Sequence, residues 1–187
     1  FVRDFVGTLF DAGCRVFIVH ARNAWLRGLS PKENREVPPL RYDFVAQVKK
    51  DFPAATVVIN GGIASLGQLA LLDESPSAID GVMLGRIAYH DPYFLAQAEQ
   101  ALFAPATPVP PRRAIVASMV GYAARCAAHG VPVRAITRHM LGLYQGQPGA
   151  RRWRRLLSDP SFLAQFGANA MEEAARLIEQ RSERLAA

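Results

Sequence analysis

The sequence predicts an α/β fold followed by a small all-helical region, and three observations carry that prediction. Short apolar runs rich in β-branched residues alternate with stretches of helical spacing over roughly the first hundred positions. A proline-rich stretch at 104–111 interrupts both patterns, and only helical spacing follows it. The charge balance changes at the same place: residues 1–111 carry 10 basic and 11 acidic side chains, a net of −1, and residues 112–187 carry 12 and 5, a net of +7. Such an asymmetry joins a near-neutral scaffold to a module suited to a polyanion.

Each element follows from its spacing. Val2, Phe5, Val6, Leu9 and Phe10 recur at helical intervals and end at Gly13, after which Val16-Phe17-Ile18-Val19 reads as a buried strand ending at His20. A long polar loop follows, and Tyr42, Val45, Val48 and Phe52 return to helical spacing. Thr56 to Ile59 is a second buried strand, ending at Asn60-Gly61-Gly62; Ser65 to Leu72 is a helix; Gly81 to Leu84 is a third strand, ending at Gly85-Arg86. Continuous apolar strands between helices signify a parallel sheet covered on its faces, whose ligands bind at the C-terminal strand ends. Three strands do not close a barrel. Beyond the linker at 104–111, helices are expected over 115–128, 133–144, 151–157 and 169–185, giving domains at 1–103 and 112–187.

Composition excludes other classes. Half of the chain is hydrophobic and a fifth charged, as in ordinary globular proteins. The longest apolar runs fall far short of the roughly 20 residues of a membrane-spanning helix. Cys14 and Cys126 are too few and too far apart for a disulfide framework, and no His, Cys or carboxylate lies near His20 at metal-ligand spacing, so no metal is expected. A reducing, cytoplasmic compartment and a monomeric chain are the expectations. The N-terminus, Phe1-Val2-Arg3-Asp4-Phe5, has neither an initiator Met nor a secretory signal and reads as a cut inside a longer protein.

Three groups of residues suit chemistry. Asn60-Gly61-Gly62-Ile63 and Gly85-Arg86 end two successive strands; glycines there leave backbone N–H groups uncovered, and Arg86 adds a fork of donors, an arrangement suited to a phosphate. His20 stands where the first strand meets its loop, placed either to hydrogen-bond structurally or to touch a ligand. In the long loop, residues 20–41, Arg22, Arg27, Lys32, Arg35 and Arg41 interleave with Trp25, offering cations for phosphates and an aromatic face for a base or ribose; the alternative is a solvated loop whose charges pair with Glu33 and Glu36. In the helical part, Arg151-Arg152-Trp153-Arg154-Arg155 follows a Gly146-Gln147-Pro148-Gly149 turn, with Arg151, Arg154 and Arg155 on one helical face and Arg134, Arg138 and His139 available to extend it.

These segments together resemble tRNA-dihydrouridine synthases of the A subfamily. The resemblance rests on His20-Ala21-Arg22, Ala24-Trp25-Leu26, Gly28 to Glu36, Asn60 to Ile63, Asp80 to Met83 with Gly85-Arg86, and Gln145 to Arg151, in order along nearly the whole chain. It implies the C-terminal part of an FMN-binding (β/α)8 TIM barrel followed by a helical domain. The implied reaction is NADPH-dependent reduction of the C5=C6 bond of D-loop uridines, U20 and U20a for this subfamily. It further implies that His20 contacts FMN and that Asn60, Gly61, Gly62, Gly85 and Arg86 hold its phosphate and ribityl end. Lys32, Arg35, Arg151 and Arg154 fall at the family's tRNA contacts.

The same resemblance implies that five barrel strands precede Phe1, together with the proton-donating cysteine and a lysine and glutamine that touch FMN. Neither Cys14 nor Cys126 matches that cysteine's motif, and the 187-residue chain alone is expected to be inactive. Two other readings stand beside this one: a non-catalytic tRNA-binding fragment, and a flavin- or phosphate-binding barrel enzyme acting on a small molecule.

Overall fold

The computed structural model describes residues 1–25, 27–73, 79–103 and 106–186, which fall into two compact units, Phe1–Arg86 and Ile87–Ala187. In the first, α1 (Val2–Asp11), β1 (Val16–His20), α2 (Tyr42–Asp51), β2 (Thr56–Asn60), α3 (Leu66–Asp73) and β3 (Gly81–Met83) follow one another. The three strands form a parallel sheet in the order β1-β2-β3. Each expected strand and helix of this region is present, because the apolar runs and the helical spacings leave little ambiguity.

The strands are less buried than the sequence predicts. Phe17, Val57 and Ile59 lie in the core with Val6, Val45 and Val48 of α1 and α2, whereas Val16 and Ile18 are about 60% exposed (59% and 61%). The strand period of two puts Val16, Ile18 and His20 on the opposite face from Phe17. That face of β1 is not covered by any described element of this unit, so only half of the expected double-sided burial is present. Asp80 ties the strand starts together: its carboxylate accepts from the Val57 N–H at 2.7 Å and from Lys49 Nζ at 2.8 Å. The Lys49 contact, and next the Val57 N–H, hold the Asp80 carboxyl below its ordinary range.

The second unit contains α4 (Arg86–His90, its first residue at the division), α5 (Tyr93–Phe103), α6 (Arg112–Ala128), α7 (Val133–Thr137), α8 (Ala150–Ser158), α9 (Pro160–Phe166) and α10 (Ala170–Ala186). The expected linker at 104–111 lies within this unit's span, and its first two residues, 104 and 105, are outside the described residues. Extended Pro111 leads directly into α6, which therefore begins three residues before the expected start. Asp159 caps α9 through the N–H groups of Ser161 (2.9 Å) and Phe162 (3.4 Å), with Pro160 at the first helical position.

The helix expected over 133–144 ends at Thr137. Residues 138–147 run on as tight turns bonded three residues back, His139 to Ile136, Met140 to Thr137 and Leu143 to Met140. Side chains replace the missing helical donors: Trp153 Nε1 donates to the Met140 carbonyl at 2.8 Å, and Arg112 Nε donates to that of Leu143 at 2.8 Å. Trp153 itself is fully buried, 4.7 Å ring to ring from Tyr144, among Val116, Leu143, Leu157, Met171 and Ala174. Desolvation, and after it the neighbouring Glu179 carboxylate, push the Tyr144 hydroxyl up to about 12.

Candidate functional site

The C-terminal edge of the sheet gathers the residues singled out in the first unit. His20 pairs in register with Asn60, and Asn60 with Met83, so the turns at Gly61-Gly62 and Gly85-Arg86 leave the sheet side by side. His20 and Asn60 share the strand face that the helices do not cover. Gly61 and Gly62 have φ of +120° and +73°, a region that favours glycine. A Cβ on Gly62 would overlap Leu40 Cδ1, and one on Gly61 would stand 3.1 Å from His20 Cε1. Tyr42 fixes the turn by donating its hydroxyl to the Gly61 carbonyl at 2.8 Å. Among the described residues no acceptor takes the N–H groups of Gly61, Gly62 or Gly85. The turns thus bring unpaired donors, and no side chain of their own, to the mouth of the sheet. Such a set suits an anion.

Burial and then the guanidinium groups of Arg22 and Arg86 lower the pKa of His20, so its imidazole is the neutral form near pH 7. Arg86 does not stand free. Its Nη1 meets Glu36 Oε1 at 3.3 Å and its Nη2 donates to the Arg35 carbonyl at 3.4 Å, tying the turn after β3 to the long loop. Both partners are about half exposed, so the ion pair is weak and its guanidinium remains available to an incoming anion.

The long loop is more ordered than its polar composition suggests. It closes through an antiparallel bridge of Arg22 with Leu40, through the Arg41 N–H on the Ala21 carbonyl at 2.6 Å, and through Arg22 Nη1 on the Pro38 carbonyl. Ser30-Pro31-Lys32-Glu33 forms a reciprocal cap on the 3-10 turn Glu33–Arg35: the Ser30 N–H donates to Glu33 Oε2 at 2.8 Å and the Glu33 N–H to Ser30 Oγ at 3.3 Å. The Ser30 contact holds the Glu33 carboxyl below its usual range. Glu33 and Glu36 are therefore engaged elsewhere. Among the described residues no carboxylate lies within ion-pair distance of Arg27, Lys32 or Arg35.

In the second unit, α8 carries Arg151, Arg154 and Arg155 exposed, while Trp153 and Leu157 face the core. The indole is thus a structural anchor. Arg152 is half-buried, with Nη1 on the Leu177 carbonyl at 3.4 Å, and Arg154 donates to Gln145 Oε1 at 3.1 Å. The Gly146-Gln147-Pro148-Gly149 turn before α8 packs closely: a Cβ on Gly149, at φ +83°, would stand 2.9 Å from Ile178 Cβ. Arg134, Arg138 and His139 are exposed after or within α7, the helix that packs on α8.

Comparison with known proteins gives the chain's family. The model of the dihydrouridine synthase (Dus) family matches residues 1–179. The chain belongs to the dihydrouridine synthase family. A Pseudomonas syringae pv. tomato protein named tRNA-dihydrouridine(20/20a) synthase is 53% identical over 176 residues, 94% of this chain and 52% of that relative. Proteins of the same name from Shewanella oneidensis and Vibrio vulnificus are 50% and 46% identical, over 85% and 96% of this chain and 47% and 55% of their own lengths. The chain spans about half the length of these curated relatives.

Within this Dus chain, sequence reasoning found the strand-end residues and missed their supports. Leu40, Tyr42 and Glu36 hold the glycine turns and Arg86, yet each is an ordinary residue type whose role depends on folding of the loop. The Ser30–Glu33 cap was legible as S-x-x-E. It went unread because the helix it starts is only three residues long.

Proposed function

We propose that the whole protein is a tRNA-dihydrouridine synthase that reduces D-loop uridines, U20 and U20a, with FMN and NADPH in the cytoplasm. The observation that carries this reading is the juxtaposition at one sheet edge of His20, Asn60, two glycine turns with unpaired N–H groups, and Arg86. The donor set fits the phosphate of FMN, because the turns at Gly61 and Gly62 admit no side chain and present only N–H groups. Bound there, FMN reduced by NADPH would supply the hydride for the C5=C6 bond, whose saturation also takes one proton. This chain's residues bind and orient: Asn60, Gly61, Gly62, Gly85 and Arg86 hold the phosphate and ribityl end, and neutral His20 offers a hydrogen bond beside them.

The sheet is read as the last strands of a (β/α)8 barrel that extends to residue 103, with 104–111 as the linker to a helical domain at 112–187. In that reading the uncovered face bearing Val16, Ile18 and His20 is the barrel interior. Each unit supplies cations of its own for tRNA: Lys32 and Arg35 from the capped loop, Arg151 and Arg154 from α8. The protein is taken to act as a monomer.

The test is incubation of the whole protein with tRNA lacking dihydrouridine, FMN and NADPH, followed by nucleoside mass spectrometry and mapping of the modified position. Dihydrouridine at 20 and 20a that depends on NADPH is the expected result. Tight flavin binding with NADPH oxidation but unmodified tRNA would overturn it in favour of a small-molecule substrate.

A further inference from the structure

The long loop of the first unit exposes a tryptophan that its own main chain holds still. The Trp25 N–H donates to Asn34 Oδ1 at 2.7 Å, and Asn34 Nδ2 donates back to the Trp25 carbonyl at 2.9 Å. One amide side chain thus makes both of the bonds that a neighbouring strand would make. Asn34 is itself fixed, since it lies in the 3-10 turn that Ser30 and Glu33 cap reciprocally. The indole at the end of this brace is 47% exposed. Among the described residues no aromatic ring packs on it.

The unit's core does not account for this residue: Val6, Phe17, Val45, Val57 and Ile59 close it without Trp25. Among the described residues no carboxylate lies within ion-pair distance of Lys32 or Arg35, on the braced turn, so the loop presents positive charge and one flat apolar ring together. Every unpaired base offers a π-face to such a ring, and the phosphates flanking it are drawn to such cations.

We propose that Trp25 is a stacking platform for an unpaired base of the tRNA and that Asn34 is the positioning residue that aims it. This rests on the reading of the loop as an RNA contact and adds to it a non-electrostatic component. Stacking releases no counterions, whereas phosphate contact does, so the two components separate in a salt titration.

The experiment measures tRNA affinity of the whole protein by fluorescence anisotropy at several salt concentrations. Trp25→Ala is expected to weaken binding by roughly 5- to 100-fold, the range of one base–aromatic stack, with the salt slope unchanged. Trp25→Phe is expected to recover most of that loss. Asn34→Ala is expected to weaken binding in the same manner, with thermal unfolding unchanged to show that the unit is intact. Tryptophan emission gives a second readout: tRNA quenches the wild type, and the quenching is smaller in Trp25→Phe by the share that Trp25 contributes, whereas Trp153, sealed in the helical core, contributes none.

Wild-type affinity in Trp25→Ala, or a loss accompanied by a shallower salt slope, overturns the platform. Wild-type affinity in Asn34→Ala overturns the positioning role. If Lys32→Ala with Arg35→Ala also leaves affinity and slope untouched, the RNA reading of the loop fails. If that pair weakens binding while Trp25→Ala does not, only the present proposal fails.

Discussion

At the strand ends of the first unit the unpaired donors are main-chain N–H groups beside two glycines, backed by His20 and Arg86. On α8 of the second unit the donors are guanidinium groups at the tips of long side chains, that of Arg154 already on Gln145 Oε1, standing on a buried tryptophan. The first arrangement works through what is absent, because any Cβ on Gly62 meets Leu40. The second works through what is present, and the cost of changing it depends on which face of the helix is changed. A backbone donor set is therefore fragile to addition, and a side-chain donor set is fragile mainly beneath the surface that carries it.

The largest effect is expected at Trp153. Trp153→Ala is expected to destabilise the second unit by about 3–5 kcal/mol, through the cavity and the loss of the donor to the Met140 carbonyl. Chemical denaturation followed by circular dichroism measures it. Arg151→Ala with Arg154→Ala, on the exposed face of the same helix, should stay within about 0.5 kcal/mol of wild type. The double variant is expected to weaken tRNA binding and to lower the salt slope by about two. Equal destabilisation by the two variants would show that α8 has no such division of faces.

Gly62→Ala comes next. A left-handed backbone costs an alanine about 1–2 kcal/mol, and the overlap with Leu40 adds to it. Flavin titration of the whole protein should show at least a tenfold loss of affinity, while Gly149→Ala, in the second unit, should cost stability and leave flavin binding alone. Asp80→Ala is expected to cost about 1–3 kcal/mol, since it strands the Lys49 ammonium and the Val57 N–H.

The smallest effect is a pH dependence. His20 binds its proton less readily in the folded chain than at its ordinary value of 6.5, chiefly through burial and then through Arg22 and Arg86. Between those two values the unfolded chain carries more protons, so stability rises with pH across the window, is complete above 6.5 and is lost on acidification. His20→Gln should flatten that part of the stability profile, and Arg86→Gln should flatten it less.

Most of the parallel sheet was legible because Val16 to Val19 and Thr56 to Ile59 are apolar runs bounded by Gly, Asn and His, a pattern with one reading. The strand ends followed at once, and with them His20, Asn60, Gly61, Gly62, Gly85 and Arg86. The one-sided burial of β1 was not legible, since an apolar run does not say how many faces are covered. Nor was the stop at Thr137: Val133 to Tyr144 keeps helical spacing, yet the chain beyond Thr137 turns with bonds three residues back, and the Met140 carbonyl there also takes the indole N–H of Trp153, distant in sequence. Helices α5 and α9 were not read from the sequence, although a proline, Pro92 just before α5 and Pro160 as the first residue of α9, suits the start of a helix. Arg86 was read as a free fork, and its tie to Glu36 depends on a loop whose closure no local pattern announces.

The bond from Trp153 to Met140 has an effect beyond cohesion. By fastening α8 to the turn that follows α7 with one N–H, it makes the spacing between Arg134 and Arg151 a property of the interior. A ruler of that kind drifts only if the core repacks, so substitution of the exposed arginines on α8 is expected to leave the backbone that carries them in place. Repertoire at the surface and geometry underneath are thereby set by different residues.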